Sequence, residues 1–279
     1  MTTPDKISLP GVGKNRYKFI ESEHLHTLDG RPLIGTSTAL KVLAKPLTWW
    51  ASGLAVAELG WMNPKKVDQN TRIENVRPYL EKIKGYDPVE YLRLLDKAYK
   101  AHATILDKSA EEGTDMHAEL EKYVRWCIGN HEGKIPKSMQ YLSEYPAVQI
   151  FMKWAKENVE EFLISEGHCY SETLWTGGIV DLLYKDKKGM LVVLDFKSSK
   201  EAYLSQFFQD AGYDIAISES GILDAEGNLL YKPERSVDYY GVFPFGMENP
   251  EPKFHFDTEG AREGFIASVK LHKLINTNG

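Results

Sequence analysis

Gly177-Gly178-Ile179-Val180-Asp181-Leu182-Leu183-Tyr184 and, after the polar segment 185–189, Met190-Leu191-Val192-Val193-Leu194-Asp195-Phe196-Lys197 read as two apolar strands joined by a short loop. Each strand carries one carboxylate among aliphatic residues. Side chains alternate between faces, so Asp195 and Lys197 share one. With Tyr184 paired to Met190, Asp181 stands opposite Val193 and Asp195 becomes its diagonal neighbour, roughly 7–8 Å away on the same face. Two unpaired carboxylates there repel each other, whereas a divalent cation turns the conflict into a site. The plainer alternative is a strand-end ion pair of Asp195 with Lys197 or Lys200.

Working outward, residues 16–34 read as a short hairpin with Leu28-Asp29-Gly30-Arg31 as its turn. Thr36-Ser37-Thr38 offers a helix N-cap, Pro46 ends that helix, and a second covers Trp49–Leu59. Asp87-Pro88 opens another helix that Gly113 is expected to break, with a new one running from Thr114 to about Ile128. A helix fits Pro146–Glu161. Strands are expected at Phe162–Ser165, His168–Trp175, Gly178–Tyr184 and Met190–Phe196. After them come a helix over about Tyr203–Ser218, a hairpin at Asp224–Asn228, strands at Tyr239–Phe243 and Lys253–Asp257, and a closing helix from Thr258 to about Ile275. This order predicts an α/β fold with a helical N-terminal part.

The 279 residues are 42% hydrophobic and 27% charged, an ordinary globular balance that argues against wholesale disorder. No stretch approaches the ~18 apolar residues of a membrane span. Met1–Pro10 shows no signal-peptide pattern, so a cytoplasmic location is expected. Cys127 and Cys169 are the only cysteines, which excludes a disulfide scaffold, a four-cysteine zinc site and a four-cysteine iron–sulfur cluster. There is no Gly-x-x-x-x-Gly-Lys-Ser/Thr loop, so no bound nucleotide is expected. The net charge of −6 hides an asymmetry: residues 1–108 hold 17 Lys+Arg against 12 Asp+Glu, and residues 109–279 hold 17 against 28. A basic first part beside an acidic second part suits a polyanion held next to bound cations.

Two further elements carry candidate chemistry. Gly113-Thr114-Asp115-Met116-His117 leads into a helix on which His117 and Glu121 lie one turn apart. Gln209-Asp210-Ala211-Gly212-Tyr213 puts Gln209 and Tyr213 one turn apart on a later helix. His24-x-His26 reads as a histidine pair on an exposed hairpin. Lys82, Lys84, Arg93 and Lys97 interleave with Tyr79, Tyr86, Tyr91 and Tyr99, a composition suited to phosphate contacts and base stacking.

In this order and spacing, Gly-Thr-x-x-His, Gly-x-x-Asp, Asp-Phe-Lys and Gln-x-x-x-Tyr resemble the PD-(D/E)XK nuclease superfamily. The likeness is to its RecB-type branch of phage and mitochondrial genome-maintenance exonucleases. Gly35-Thr36-Ser37-Thr38-Ala39-Leu40 with Leu47-Thr48-Trp49-Trp50 is similar to an N-terminal signature of those members. The resemblance implies a restriction-endonuclease-like central mixed sheet flanked by helices. It implies a nuclease core over 109–279, preceded by a hairpin and helical DNA-guiding part over 1–108. His117, Asp181, Asp195 and the Phe196 carbonyl would hold one or two Mg²⁺ or Mn²⁺ ions. Lys197 would be the catalytic lysine, with Asp181 and Asp195 sharing the catalysis. Gln209 would orient Lys197 or touch DNA, and Tyr213, Lys200, Lys82, Lys84, Arg93 and Lys97 would contact DNA. Glu121 and Glu172 are candidates for acids that hydrogen-bond around the ligands. The implied activity is metal-dependent DNA hydrolysis, exonuclease rather than endonuclease, in recombination, repair or replication. A phage origin would put the protein in the host cytoplasm. A helicase or a single-strand-annealing protein is a candidate partner, and a catalytically silent DNA-binding module is the alternative.

Overall fold

The computed structural model describes residues 16–44, 46–136 and 141–276. The expectation made for Met1–Pro10 lies outside them. The chain divides into two compact units, Met1–Ala44 with Gly113–Gly279, and Lys45–Glu112. The single boundary expected near 108 is thus replaced by two, because the N-terminal strands pair within the unit that holds the large sheet.

Strands β1 (Tyr17–Ile20), β2 (Leu25–Leu28) and β3 (Arg31–Pro32) form a three-stranded antiparallel sheet. The turn anticipated at Leu28–Arg31 joins β2 to β3, and β1 adds a third strand on the other side of β2. Asp29 and Gly30 have φ of 52° and 72°, as a two-residue hairpin turn requires. Next come β4 (Ile34–Gly35), the short helix α1 (Thr36–Ala39), α2 (Thr48–Ala57) and α3 (Gln69–Lys84). Helix α3 was not foreseen, although Asp68 caps it by accepting from the amides of Asn70 and Thr71.

Helix α4 runs from Pro88 to His131, so Gly113 does not break it. One interior glycine costs a helix only about 1 kcal/mol, and a Cβ at Gly113 would lie 3.0 Å from the Ser198 side chain. The missing methyl group accommodates a neighbour. The start of α4 follows the Asp87-Pro88 signal: the Asp87 carboxylate accepts from the amides of Val89 (2.7 Å) and Glu90 (2.9 Å), and Glu90 accepts from the Asp87 amide (3.0 Å).

Helix α5 (Pro146–Asn158) leads into β5 (Val159–Ser171), β6 (Thr176–Asp186) and β7 (Leu191–Lys197). Then follow α6 (Leu204–Ser220), β8 (Ile222–Leu223), β9 (Leu229–Tyr231), β10 (Tyr239–Pro244), β11 (Lys253–His255) and α7 (Thr258–Asn276). The eight-stranded sheet has the order β11-β10-β7-β6-β5-β8-β9, with β4 also on β6. It is mixed: β5, β6 and β7 are antiparallel, whereas β10 runs parallel to β7 and β4 parallel to β6. The fold is α/β with a helical N-terminal part, as expected. No helix among the described residues is long and apolar enough to cross a membrane.

Alternation along β7 feeds two cores. Leu191 and Val193 pack with Phe207, Ala211 and Phe265 of α6 and α7. Val192, Leu194 and Phe196 pack with Val124 of α4 and Phe151 of α5. Asp214 ties the first of these layers together. Fully buried on α6, it accepts from Tyr240 Oη of β10 (2.7 Å) and is ion-paired with Arg262 of α7. Asp214→Ala leaves the buried Tyr240 hydroxyl without its acceptor and deprives the half-buried Arg262 of its ion pair. Chemical denaturation is expected to show a loss of about 1–3 kcal/mol, the cost of an unsatisfied buried donor; no measurable loss would mean that the helices hold without it.

Candidate metal centre

The β6–β7 register differs from the expected one by two residues. Tyr184 pairs with Val192 rather than Met190, and Leu182 with Leu194. The loop is tight because Asp186 Oδ1 accepts from the amides of Lys188 (2.8 Å) and Met190 (2.9 Å). Continuing that register sets Asp181 directly opposite Asp195, closer than the diagonal expected. On the other side Ser165 pairs with Leu182 and Gly167 with Val180, so Asp181 also falls opposite Glu166. Three carboxylates therefore cross three neighbouring strands in a row. Like charges directly opposite destabilise a sheet, and each member of this row is compensated individually.

Asp181 is 7% exposed and accepts from the Phe196 amide at 2.7 Å. His117, on α4, brings Nε2 to 3.1 Å from Glu166 Oε1 and 3.6 Å from Asp181 Oδ2, and its ring meets Phe196 edge-on at 5.6 Å. Lys197 forms an ion pair with Asp195, which is 1% exposed. Neither Asp195 oxygen gains a well-aligned hydrogen bond from it. Burial raises the pKa of Asp181 despite Lys197 and His117. Burial lifts Asp195 to about 7 against the pull of Lys197. Burial disfavours the cations too, yet Glu166, Asp181 and Asp195 raise His117 to about 9, and Asp195 with Asp181 pushes Lys197 above its ordinary value.

The donor set suits a hard divalent cation. One ligand atom each from His117, Glu166 and Asp181 lie within 4.8 Å of one another. Opposed ligands around Mg²⁺ lie about 4.2 Å apart, twice a 2.1 Å bond, so little movement is needed to close on an ion. Imidazole admits Mn²⁺ as well. The group lies in a cleft of about 530 Å³ whose lining includes Lys197, Gln209 and Tyr213.

The candidates sort by position. His117, Asp181, Asp195 and Lys197 converge, with Phe196 held beneath them by its amide. Gln209 donates to Tyr213 Oη at 2.6 Å on the cleft wall. Lys200 is exposed and does not line the cleft. The two acids expected around the ligands lie elsewhere: Glu121 pairs with Arg125 at 2.5 Å, and Glu172 with Arg16 at 2.9 Å. Within the helical unit, Lys82, Arg93 and Lys97 share a hollow of about 480 Å³ with Tyr79 and Tyr86, while Lys84 pairs with Glu81 and lines another. That unit holds 11 Lys+Arg against 10 Asp+Glu, because Glu111 and Glu112 at its end offset most of the basic excess of residues 45–108.

Two residues were missed. Glu166 sits in a Glu-Gly pair that reads as a turn between two strands, but β5 continues through it with Glu166 at φ 54°. Asp210 is fully buried on α6, and neither carboxylate oxygen has a hydrogen-bond partner. Burial, and then the charge of Asp195, pushes its pKa well above the carboxylate range. Its signal was an acid on the inner side of Gln-x-x-x-Tyr. Compared with known proteins, the chain matches no family model and no curated sequence.

The raised pKa of His117 makes stability pH-dependent. A group protonated more readily in the folded state contributes fully below its unfolded value of 6.5, and the contribution is lost as pH rises through about 9. Asp195 acts in the same direction between 3.8 and about 7. The melting temperature of the metal-free protein is therefore expected to fall from pH 6.5 to 9, and to fall less in His117→Ala. An identical slope in the two proteins would remove the imidazolium from the acidic row.

Proposed function

We propose that the protein is a divalent-metal-dependent nuclease that hydrolyses DNA phosphodiesters, acting as an exonuclease. The observation that carries the reading is the Glu166–Asp181–Asp195 row, with His117 beside it and Lys197 on the same cleft. A row of acids this dense, with two of the three buried, is costly without a cation, and phosphodiester hydrolysis is chemistry that such a cation and a neighbouring lysine serve. His117, Glu166, Asp181 and Asp195 would hold the ion or ions. Bound Mg²⁺ or Mn²⁺ supplies charge neutralisation at the phosphoryl oxygens and a lowered pKa for water. Asp195 fixes the Lys197 ammonium, which stays protonated and stands ready to orient a water or offset developing negative charge. Phe196 holds Asp181 in place through its amide. Gln209 and Tyr213 brace one another on the wall, where they can contact the strand. The four motifs of the PD-(D/E)XK resemblance point to the same residues. A place in recombination, repair or replication, beside a helicase or an annealing protein, belongs to this proposal.

The test is digestion of end-labelled linear and closed circular DNA, single-stranded and duplex, with Mg²⁺ or Mn²⁺ and with EDTA. Linear DNA is expected to be cut in the presence of metal only. Asp195→Asn and Lys197→Ala should each lose ~100-fold or more in rate while still binding DNA. Wild-type protein that binds without cutting would favour the silent module, and full activity in either variant would remove that residue from the chemistry.

Lys82, Arg93 and Lys97 provide a separate test of the strand path. If they contact phosphates, replacing all three by Ala should flatten the salt dependence of binding by about 0.7 per lost contact on a single strand. An unchanged slope in the folded variant would confine the strand to the cleft.

A further inference from the structure

Across the cleft from the acidic row, the three-stranded sheet contributes His26 to the lining. The exposed pair foreseen for His24 and His26 is only half correct, because His26 is 5% exposed. Its Nδ1 lies 2.6 Å from Tyr17 Oη, and the same hydroxyl lies 3.1 Å from His168 Nδ1. Tyr17 is 1% exposed and stacks on Tyr170 at 5.5 Å. Phe19 packs against both imidazoles, with centroids 4.8 and 4.9 Å away. A Cβ on Gly177 would stand 2.9 Å from the His26 Cβ, so a bare backbone lets this ring lie against β6. Among the described residues, Nε2 of His26 has no hydrogen-bond partner. The ring is clamped, and one polar edge is spare.

Proton counting assigns that edge. Tyr17 has one hydroxyl proton between two Nδ1 atoms, so it donates to one and accepts from the other. A separation of 2.6 Å is short for N–H···O and ordinary for an O–H donor, whereas 3.1 Å suits N–H···O. Tyr17 therefore donates to His26, and His168 donates to Tyr17. His26 must then carry its own proton on Nε2. Burial, with His168 and His24 nearby, holds His26 down to about 3, so the ring is neutral at ordinary pH. A neutral donor suits this wall. A lysine here would oppose cation binding, and a carboxylate would repel a phosphate.

We propose that His26 Nε2–H donates to a non-bridging oxygen of a substrate phosphate adjoining the one held at the acidic row, and so fixes the register of the strand. The proposal rests on the phosphodiester reading above and adds a substrate contact to it. Tyr17 is a positioning residue that selects the tautomer.

The test is steady-state cleavage with Mn²⁺ of an oligonucleotide and of variants carrying one neutral methylphosphonate at successive positions. In the wild type, one position near the cut should raise KM about tenfold, the size of one hydrogen bond to a charged acceptor. His26→Leu should raise KM about tenfold on the unmodified strand, keep kcat within about twofold, and lose its sensitivity at that position. His26→Asn can still engage Tyr17 but falls short of the cleft, so it should match His26→Leu and serves if that variant fails to fold. His26→Gln, with an amide that reaches the Nε2 position, should recover most of the affinity. A folded His26→Leu or His26→Asn with wild-type KM, or with the wild-type methylphosphonate profile, overturns the proposal and leaves the nuclease reading standing. Wild-type protein that cleaves no phosphodiester overturns both.

Discussion

Mutual repulsion along the row Glu166–Asp181–Asp195 is the constraint around which the large unit is arranged. Three strands can sit side by side with carboxylates opposite one another only if each charge is answered locally. Helix α4 delivers His117 to Glu166 and Asp181, β7 delivers Lys197 to Asp195, and the Phe196 amide turns to Asp181. Asp210 adds a fourth acid, buried like Asp181 and Asp195 and with no hydrogen-bond partner of its own. Burial and mutual repulsion push the pKa values of Asp181, Asp195 and Asp210 upward, a strain on their charged forms that a divalent ion would relieve.

The two cores make that arrangement rigid. The layer beneath α6 and α7 and the layer beneath α4 and α5 grip opposite faces of β7, so a slip by one residue would force each set of side chains into the core shaped for the other. A register locked in this way holds Asp195 and Lys197 on one face. The small sheet adds a second clamp from the other side of the cleft, where Tyr17 fixes two histidines through a single hydroxyl. The helical unit is built differently. Helices α2 and α3 bury no residue fully, and Trp49 is 90% exposed.

The apolar strands around Asp181 and Asp195, the Asp87-Pro88 helix start and the closing helix from Thr258 were legible because each is signalled by neighbours in sequence: alternation, a cap, a proline at the first turn. His117 and Lys197 were legible as candidates from residue type and spacing. The β6–β7 register was not, since it depends on how Asp186 folds its loop. Gly113 was misread because a glycine is a weak helix breaker that a close neighbour can justify. Glu166 is hidden in a pair that resembles a turn, and Glu121 and Glu172, the acids expected around the ligands, pair with arginines elsewhere.

The sequence by itself determined the α/β class, the strand hairpin with one acid on each side, and the residue types capable of holding a cation. These follow from local periodicity and short-range sterics, which a linear chain carries in full. Only the tertiary structure decided that Asp181 faces Asp195 and Glu166 directly, that Asp210 is buried without a hydrogen-bond partner, and that His26, held by Tyr17, lines the cleft. Each of these depends on which distant segment packs alongside. Charge repulsion and hydrogen bonding act through space, and here they join residues as distant in the chain as Tyr17 and His168, 151 positions apart.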